Sequence, residues 1–496
     1  MLIDTLEEQR GKINLQRIFW ALVAFELLAL AIFFIGDQFY FKNIIFYVYW
    51  GGALLVPLFL LVTPIEPVVG LQLMFITTGL DFLARITKST GSVNFNFTYF
   101  HLALLLTFIS TFFNLLLKRR TVIRSTNLWM PLIMFYLVLA MSLIYTPNFP
   151  DGAMTFVRIV VMGLIALIVI ESVDTIKKLK FVLWGMILIP AGISILTIYQ
   201  LMTQGSFYAS KVTKLATSLG IAVYRSTGTF DNPNKLACFL MIGIIVPFGL
   251  IFEKKLSRTV KLILASAILL SSVGILTTFS RAGWVSTLFG LALIVAINKK
   301  WSFYVIFVSM VVLMALVMSI KMPQLREAVF DRFTSIFDPS SDSSSSSRLS
   351  LIKSGIWMWQ DHPVLGVGIR GFPTMYYDYV DPHMPQILLE VNEPHTLFFE
   401  ILAEEGLVGL IIAVWLFMTI FAYGVKTSLK MNNYYLRLAQ GTCTALYAAY
   451  HVNFALATDL TNNTFWMTVG LMYAIPFLDK KATTVEDVPV VEAGSG

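Results

Sequence analysis

The chain has 496 residues, 57% of them hydrophobic and only 13% charged, with a mean hydropathy of +0.76. That is too little charge to cover a soluble globule of this size, and the sequence reads as an all-α polytopic membrane protein. The net charge of +7 must be sorted by side of the membrane before it says anything about partners.

Apolar runs close to the roughly 20 residues needed to cross a bilayer begin near Ile18, Ile44, Pro67, Phe97, Leu128, Met154, Phe181, Lys235, Leu262, Ala282, Phe303, Leu397, Leu436 and Asn463. The expectation is therefore about 12–14 transmembrane helices. Residues 1–320 would hold helices 1–11, 321–396 a large extracytoplasmic loop, 397–480 helices 12–14, and 481–496 a polar, disordered cytoplasmic tail. The run from Ile18 to Ile35 follows a mixed-charge head and has no small-residue cleavage site behind it, so it reads as a retained span. Placing the N-terminus inside puts 21 basic residues in the cytoplasmic loops and tail and 8 in the short outer loops. That asymmetry is the one expected of a multi-pass protein of the bacterial cytoplasmic membrane with both termini cytoplasmic.

Under this topology three polar stretches fall outside: Thr203 to Asn234, the turn at Ser280 and Arg281, and the long loop from Lys321. The tract Ser340 to Ser347 reads as a mobile low-complexity piece of that loop. Beyond it, Trp357 and Trp359 suggest a helix at the membrane interface. Cys238 and Cys443 lie in apolar runs and read as small hydrophobes; two such residues make no disulfide framework.

Arg281, in TTFSRAGW, ends an apolar helix at the outer surface. Arg225 lies in YRSTGTFDNPN, a run with strong turn chemistry, and Arg348 follows the serine tract. Singly, each reads as a headgroup anchor. Together, three guanidiniums on one side of the membrane offer planar forks matched to phosphate oxygens, and a diphosphate is the natural guest. Arg158, near the outer end of the sixth helix, is a possible fourth, costly if buried there without an anion. Of the five histidines, His101 and His451 fall inside spans and read as structural, and His362 and His383 belong to the long loop. His395 opens the twelfth helix with Glu393 beside it and Glu400, Glu404 and Glu405 further along. A histidine among carboxylates at a site entrance suits a general base near neutral pH. No zinc- or iron-type ligand spacing, Walker A loop or dinucleotide fingerprint accompanies it, and nothing points to nucleic acid.

Four phrases, in order, are GTFDNPNKLACFL, TTFSRAGW, SSRLSLIKSGIWMWQDHPVLGVGIRGF and PHTLFFEILAEEGLVGL. From about Tyr224 to Leu410 the chain resembles the O-antigen ligase and Wzy polymerase superfamily of membrane glycosyltransferases. The resemblance implies a GT-C-type helical fold and no cofactor or metal. It implies inverting transfer of a glycan from a polyprenyl (undecaprenyl) diphosphate to an acceptor hydroxyl at the outer face of the membrane, the acceptor being a glycan, a lipid or a protein. It also carries the catalytic histidine onto His395 and diphosphate-binding arginines onto Arg281, Arg348 and Arg225, with Arg158, Glu404 and Glu393 as possible support. Asparagine often follows the histidine in that family, whereas this chain has Thr396. The alternative from another class is a transporter or flippase of a lipid-linked sugar, favoured by Glu26 in mid-span.

Overall fold

The computed structural model describes residues 66–80, 98–117, 124, 126–203, 214–216, 222–299, 305, 308, 334, 343–380, 396–456 and 460–486. The runs expected from Ile18, Ile44 and Phe303, together with Glu26, lie outside the described residues, as do Glu393 and His395.

The chain is an all-α polytopic membrane protein; a ribbon of two three-residue strands, Lys214–Ala216 (β1) paired antiparallel with Ala222–Tyr224 (β2), is the sheet among the described residues. Up to the mid-chain loop the helices are α1 (Pro67–Gly79), α2 (Tyr99–Leu117), α3 (Trp129–Ser142), α4 (Phe149–Ser172), α5 (Ile176–Thr203), α6 (Pro233–Leu240), α7 (Ile242–Leu250), α8 (Arg258–Thr277) and α9 (Arg281–Asn298). There follow α10 (Ser343–Asp361), the short α11 (Gly371–Met375), α12 (Leu397–Lys430), α13 (Tyr434–Phe454) and α14 (Asn463–Glu486). Seven spans among the described residues, α6 and α7 counting as one, are long and apolar enough to cross a membrane.

The bundle is built around α7 and α13. Every residue of α7 is buried, and so is the run Leu438–Tyr450 of α13, as expected of helices without a lipid-facing stripe. Small residues let the neighbours close in: a Cβ on Gly249 would overlap Thr442, and one on Gly424 would overlap Met472 and Thr444. Gln440 donates to Thr427 Oγ1 (2.8 Å) and to the Met472 carbonyl (3.0 Å), tying α13 to α12 and α14. Close backbones with a few interhelical hydrogen bonds are what hold helices together where lipid removes the hydrophobic incentive.

The two ends of the bundle differ. At one, Lys178 pairs with Glu66 (2.8 Å) and Asp174 (2.9 Å), Arg124 lies over the Phe477 ring, and Asp479 accepts from the Asn433 N–H (3.1 Å). At the other, the turn before α4 meets the loop that follows α10, and those before α6 and α14 meet the end of α1. Tyr145 Oη donates to the Leu365 carbonyl (2.7 Å), Thr229 Oγ1 to the Gly79 carbonyl (2.5 Å) and Asn463 Nδ2 to Thr78 Oγ1 (3.3 Å). The phrases singled out in the sequence gather at this second end.

Two elements differ from expectation. Residues 343–347 of the serine tract are the first turn of α10 rather than mobile loop; serine is a favoured residue at helix starts, and the apolar side chains that follow bury themselves. The run from Leu397, expected as one span, is broken at Gly406 (φ 66°, ψ −163°), a conformation open essentially to glycine alone. The portion 407–430, at about 1.5 Å per residue, still exceeds the roughly 30 Å hydrocarbon core, so residues 397–405 form a separate half-helix ahead of it.

A break in a helix strands carbonyls before it and N–H groups after it, and here both sets find partners in the DHPVLGVGIRGF loop. Val367 and Gly368 donate to the carbonyls of Ala403 (2.9 Å) and Glu404 (2.7 Å), while Leu407 and Val408 donate to those of Pro363 (3.0 Å) and Val364 (3.2 Å). The approach is tight enough that a Cβ on Gly406 or Gly366 would run into the opposing backbone. Gly406→Ala is thus both strained and clashing, and should lower the thermal midpoint of the detergent-solubilised protein by an amount equivalent to more than about 3 kcal/mol. Gly441→Ala, where the nearest atom to a new Cβ is 3.6 Å away, should leave it unchanged or raise it.

Candidate functional site

The half-helix 397–405 presents Leu397, Glu400, Ile401, Glu404 and Glu405 to one cavity of about 390 Å³, closed on the other sides by α3, α4, Lys235, the Ile369–Arg370 turn and Leu460–Thr461. The spacing of three and four puts those α12 residues on one stripe. The opposite stripe faces α10, where Gly355 lies against the Phe399 carbonyl and Ala403.

Charge in the cavity is mixed. Arg158, Lys235 and Arg370 supply three cations; Asp151, Glu400, Glu404 and Glu405 supply four carboxylates. Glu404 accepts from the backbone N–H groups of Arg370 (2.8 Å) and Phe372 (3.1 Å), which fixes the turn carrying the Arg370 side chain. The same turn is clasped from α3 and the loop after it: Ser142 Oγ accepts from the Ile369 N–H (3.2 Å) and Thr146 Oγ1 donates to the Ile369 carbonyl (2.7 Å). Burial, with the charge of Glu405 adding to it, pushes the Tyr145 phenol up to about 12, so it remains protonated and a donor to this loop at any working pH.

The structure divides the expected site residues into groups. Arg158 and Glu404 line the cavity; Arg225, Arg281 and Arg348 do not. Arg225 is half-buried and acts as a brace, its Nε donating to the Thr278 carbonyl (2.8 Å) and an Nη to Asn234 Oδ1 (3.0 Å). Those contacts place it between the turn that opens at Thr278, three residues before Arg281, and the residue before the cavity-lining Lys235. Around it, Gln200 Oε1 accepts from the N–H groups of Thr227 and Gly228 (2.9 Å each), the latter at φ +54°. Gly228, Thr229 and Phe230 are therefore a buried docking turn, followed by exposed Asp231 and the Asn232 cap of α6.

Arg281 is the first residue of α9, after Phe279 in the left-handed region (φ 50°) and the Ser280 cap, whose Oγ accepts from the Gly283 N–H (3.3 Å). A cation at the positive end of a helix is unfavourable by itself and becomes favourable when an anion shares the spot. Arg348 lies on α10, which runs parallel to the half-helix: Gly355 meets Phe399 and Ala403, and Pro363 meets Leu407. Arg348, two turns before Gly355, therefore lies toward the start of the half-helix. The two histidines expected to be structural are so placed: Thr98 Oγ1 bonds His101 Nδ1 (2.8 Å), and His451 lies among Phe417, Tyr447, Phe454 and Phe465.

Sequence reasoning missed Lys235, Asp151 and Arg370 as cavity residues. Arg370 was legible in one respect, being the cation inside the glycine phrase; its pairing with Arg158 across the cavity depends on the clasp with α3, which no local pattern encodes.

Fold and site together define a polytopic helical membrane protein with a charged cavity at one end of the bundle. Residues 265–414 match the family model described as O-Antigen ligase, so this stretch is an O-antigen ligase-type domain of the O-antigen ligase/Wzy superfamily. The match takes in Arg281, Arg348, Arg370, His395 and Glu404; Arg158, Arg225 and Lys235 lie before it. A search of curated proteins by sequence finds no match.

Because Arg225 bridges two helix termini, Arg225→Ala leaves a buried acceptor and an asparagine unmet. It should cost about 1–3 kcal/mol of stability, seen as a lowered thermal midpoint without any substrate. An unchanged midpoint would mean that the brace contributes nothing and the residue serves a ligand alone.

Proposed function

We propose that this protein is an inverting, metal-independent glycosyltransferase that moves a glycan from a polyprenyl diphosphate to an acceptor hydroxyl at the outer face of the bacterial cytoplasmic membrane. The activity class rests on the O-antigen ligase domain. What supports the rest is a charged cavity opening beside the start of α12 and lined by Arg158 and Arg370, with Arg348 on α10, which packs against α12, and Arg281 as the first residue of α9.

In this reading the diphosphate lies at the start of α9, held by Arg281 and reached by Arg348, with Arg225 fixing the turn between them. His395 takes the proton of the acceptor hydroxyl. The oxygen then forms its bond to the anomeric carbon as the bond from that carbon to the diphosphate oxygen breaks on the opposite face. The electron pair leaves with the diphosphate, where the arginines stabilise the growing charge, the contribution usually largest in such transfers. Both termini would be cytoplasmic: the end of the bundle away from the site carries Arg124, Lys178 and Lys255, as the positive-inside rule asks. Cysteine at Thr374 should then react with an impermeant thiol reagent added to intact cells, and cysteine at Lys255 should not. The reverse pattern would put the site in the cytoplasm.

The test of function is to incubate the purified protein in nanodiscs with a polyprenyl-diphosphate oligosaccharide and a set of acceptors, and to weigh the products. A new glycosidic bond is expected, with His395→Ala retaining donor binding while transfer falls by about 10²- to 10⁴-fold. Arg281→Lys should also lose most of the rate, since a point charge replaces a fork. Movement of the lipid across vesicles with no new bond would establish the transporter instead.

A further inference from the structure

The cavity is not a second phosphate pocket, and its chemistry says what it takes. We propose that it binds the terminal sugar of a carbohydrate acceptor, with Glu400, Glu405 and Arg370 setting specificity; this rests on the glycosyl-transfer reading above. A diphosphate bears at least two negative charges and would meet Asp151, Glu400 and Glu404 against three cations, a lining with no excess of positive charge to hold it. A neutral polyol satisfies both signs at once, because each hydroxyl donates to a carboxylate and accepts from a guanidinium.

Size and lining agree with that guest. A volume of about 390 Å³ is at the small end of ligand clefts, which run from about 300 to 1,000 Å³, and suits one or two sugar rings rather than a lipid or a folded peptide. Phe135, Leu139 and Ile401 give an apolar wall for the C–H face of a pyranose, while Thr155 and Thr461 add hydroxyls on two other sides. Glu404 is engaged by two backbone N–H groups; Glu400 and Glu405 lie on the same stripe of the half-helix and line the cavity beside it. Leu397, in the lining, is two residues from His395 in the sequence.

The experiment measures KM separately for donor and acceptor with the full chain in nanodiscs. The acceptor panel is a lipid A–core oligosaccharide, a polyprenyl-linked repeat unit and a serine-bearing peptide. The two carbohydrates should be used and the peptide should not. Glu400→Gln weakens a charged hydrogen bond, which should raise acceptor KM by about tenfold to a hundredfold and leave donor KM within about twofold. Thr155→Tyr, which fills the cavity without removing a charge, should do the same, and covers the case in which a glutamate variant fails to fold. A rise in donor KM with acceptor KM unchanged would assign the cavity to the donor and overturn the proposal, as would good transfer to the peptide. If the parent forms no glycosidic bond with any acceptor, the functional reading itself has failed. Equilibrium binding of the lipid A–core oligosaccharide, lost in Thr155→Tyr and kept in the parent, would still support the sugar site; equal binding by both would not.

Discussion

Four backbone hydrogen bonds across the break at Gly406 hold the site together. They convert a helix interruption, which would otherwise leave polar backbone groups stranded near the membrane surface, into the joint where the mid-chain loop docks. Each is worth about 0.5–1.5 kcal/mol net, but leaving any one unmet in a buried place costs more than making it gains. That asymmetry makes the joint all-or-none. Once it forms, residues 397–405 are turned out of line with the span below, one stripe of the half-helix faces the cavity, and the other receives α10.

The remaining pieces act through this joint. Glu404 has its main-chain carbonyl in the joint and its carboxylate on the turn that carries Arg370, so this residue, expected as possible support for the site, holds a cavity cation in position. Ser142 and Thr146 bring the α3–α4 turn to the same loop, and with it Asp151 and Arg158 on α4. On the far side, the Arg225 brace ties the start of α6 to the end of α8, setting Lys235 at the cavity and Arg281 near it. Chemistry at a membrane surface requires groups from distant parts of the chain to be held by rigid elements, and here turns held by backbone and side-chain hydrogen bonds do the holding.

Much of this was legible in the amino-acid sequence, for identifiable reasons. Spans announce themselves by composition, so starts near Pro67, Leu128, Leu397, Leu436 and Asn463 agree with α1, α3, α12, α13 and α14 to within three residues. The glycines of HPVLGVGIRGF and AEEGLVG were visible as a motif, but motif recognition does not say that one glycine run docks on the other; that is a pairing of positions some forty residues apart. Arg225 was read as a ligand because three arginines on one side of the membrane suit a diphosphate and the family resemblance carries that role onto it. Its brace role depends on the Thr278 carbonyl, which becomes a partner only after α8 is packed. The cavity itself could not be read, since its lining comes from six separated stretches.

In the proposed reading two sites are separate: a diphosphate at the start of α9 and a sugar in the cavity between α4 and the half-helix. An experimental structure with a polyprenyl-diphosphate oligosaccharide bound tests this most directly. The account predicts phosphate density within hydrogen-bonding distance of the Arg281 guanidinium, with the cavity lined by Glu400 and Glu405 free of phosphate. Phosphate density inside that cavity, against Arg158 and Arg370, would contradict it.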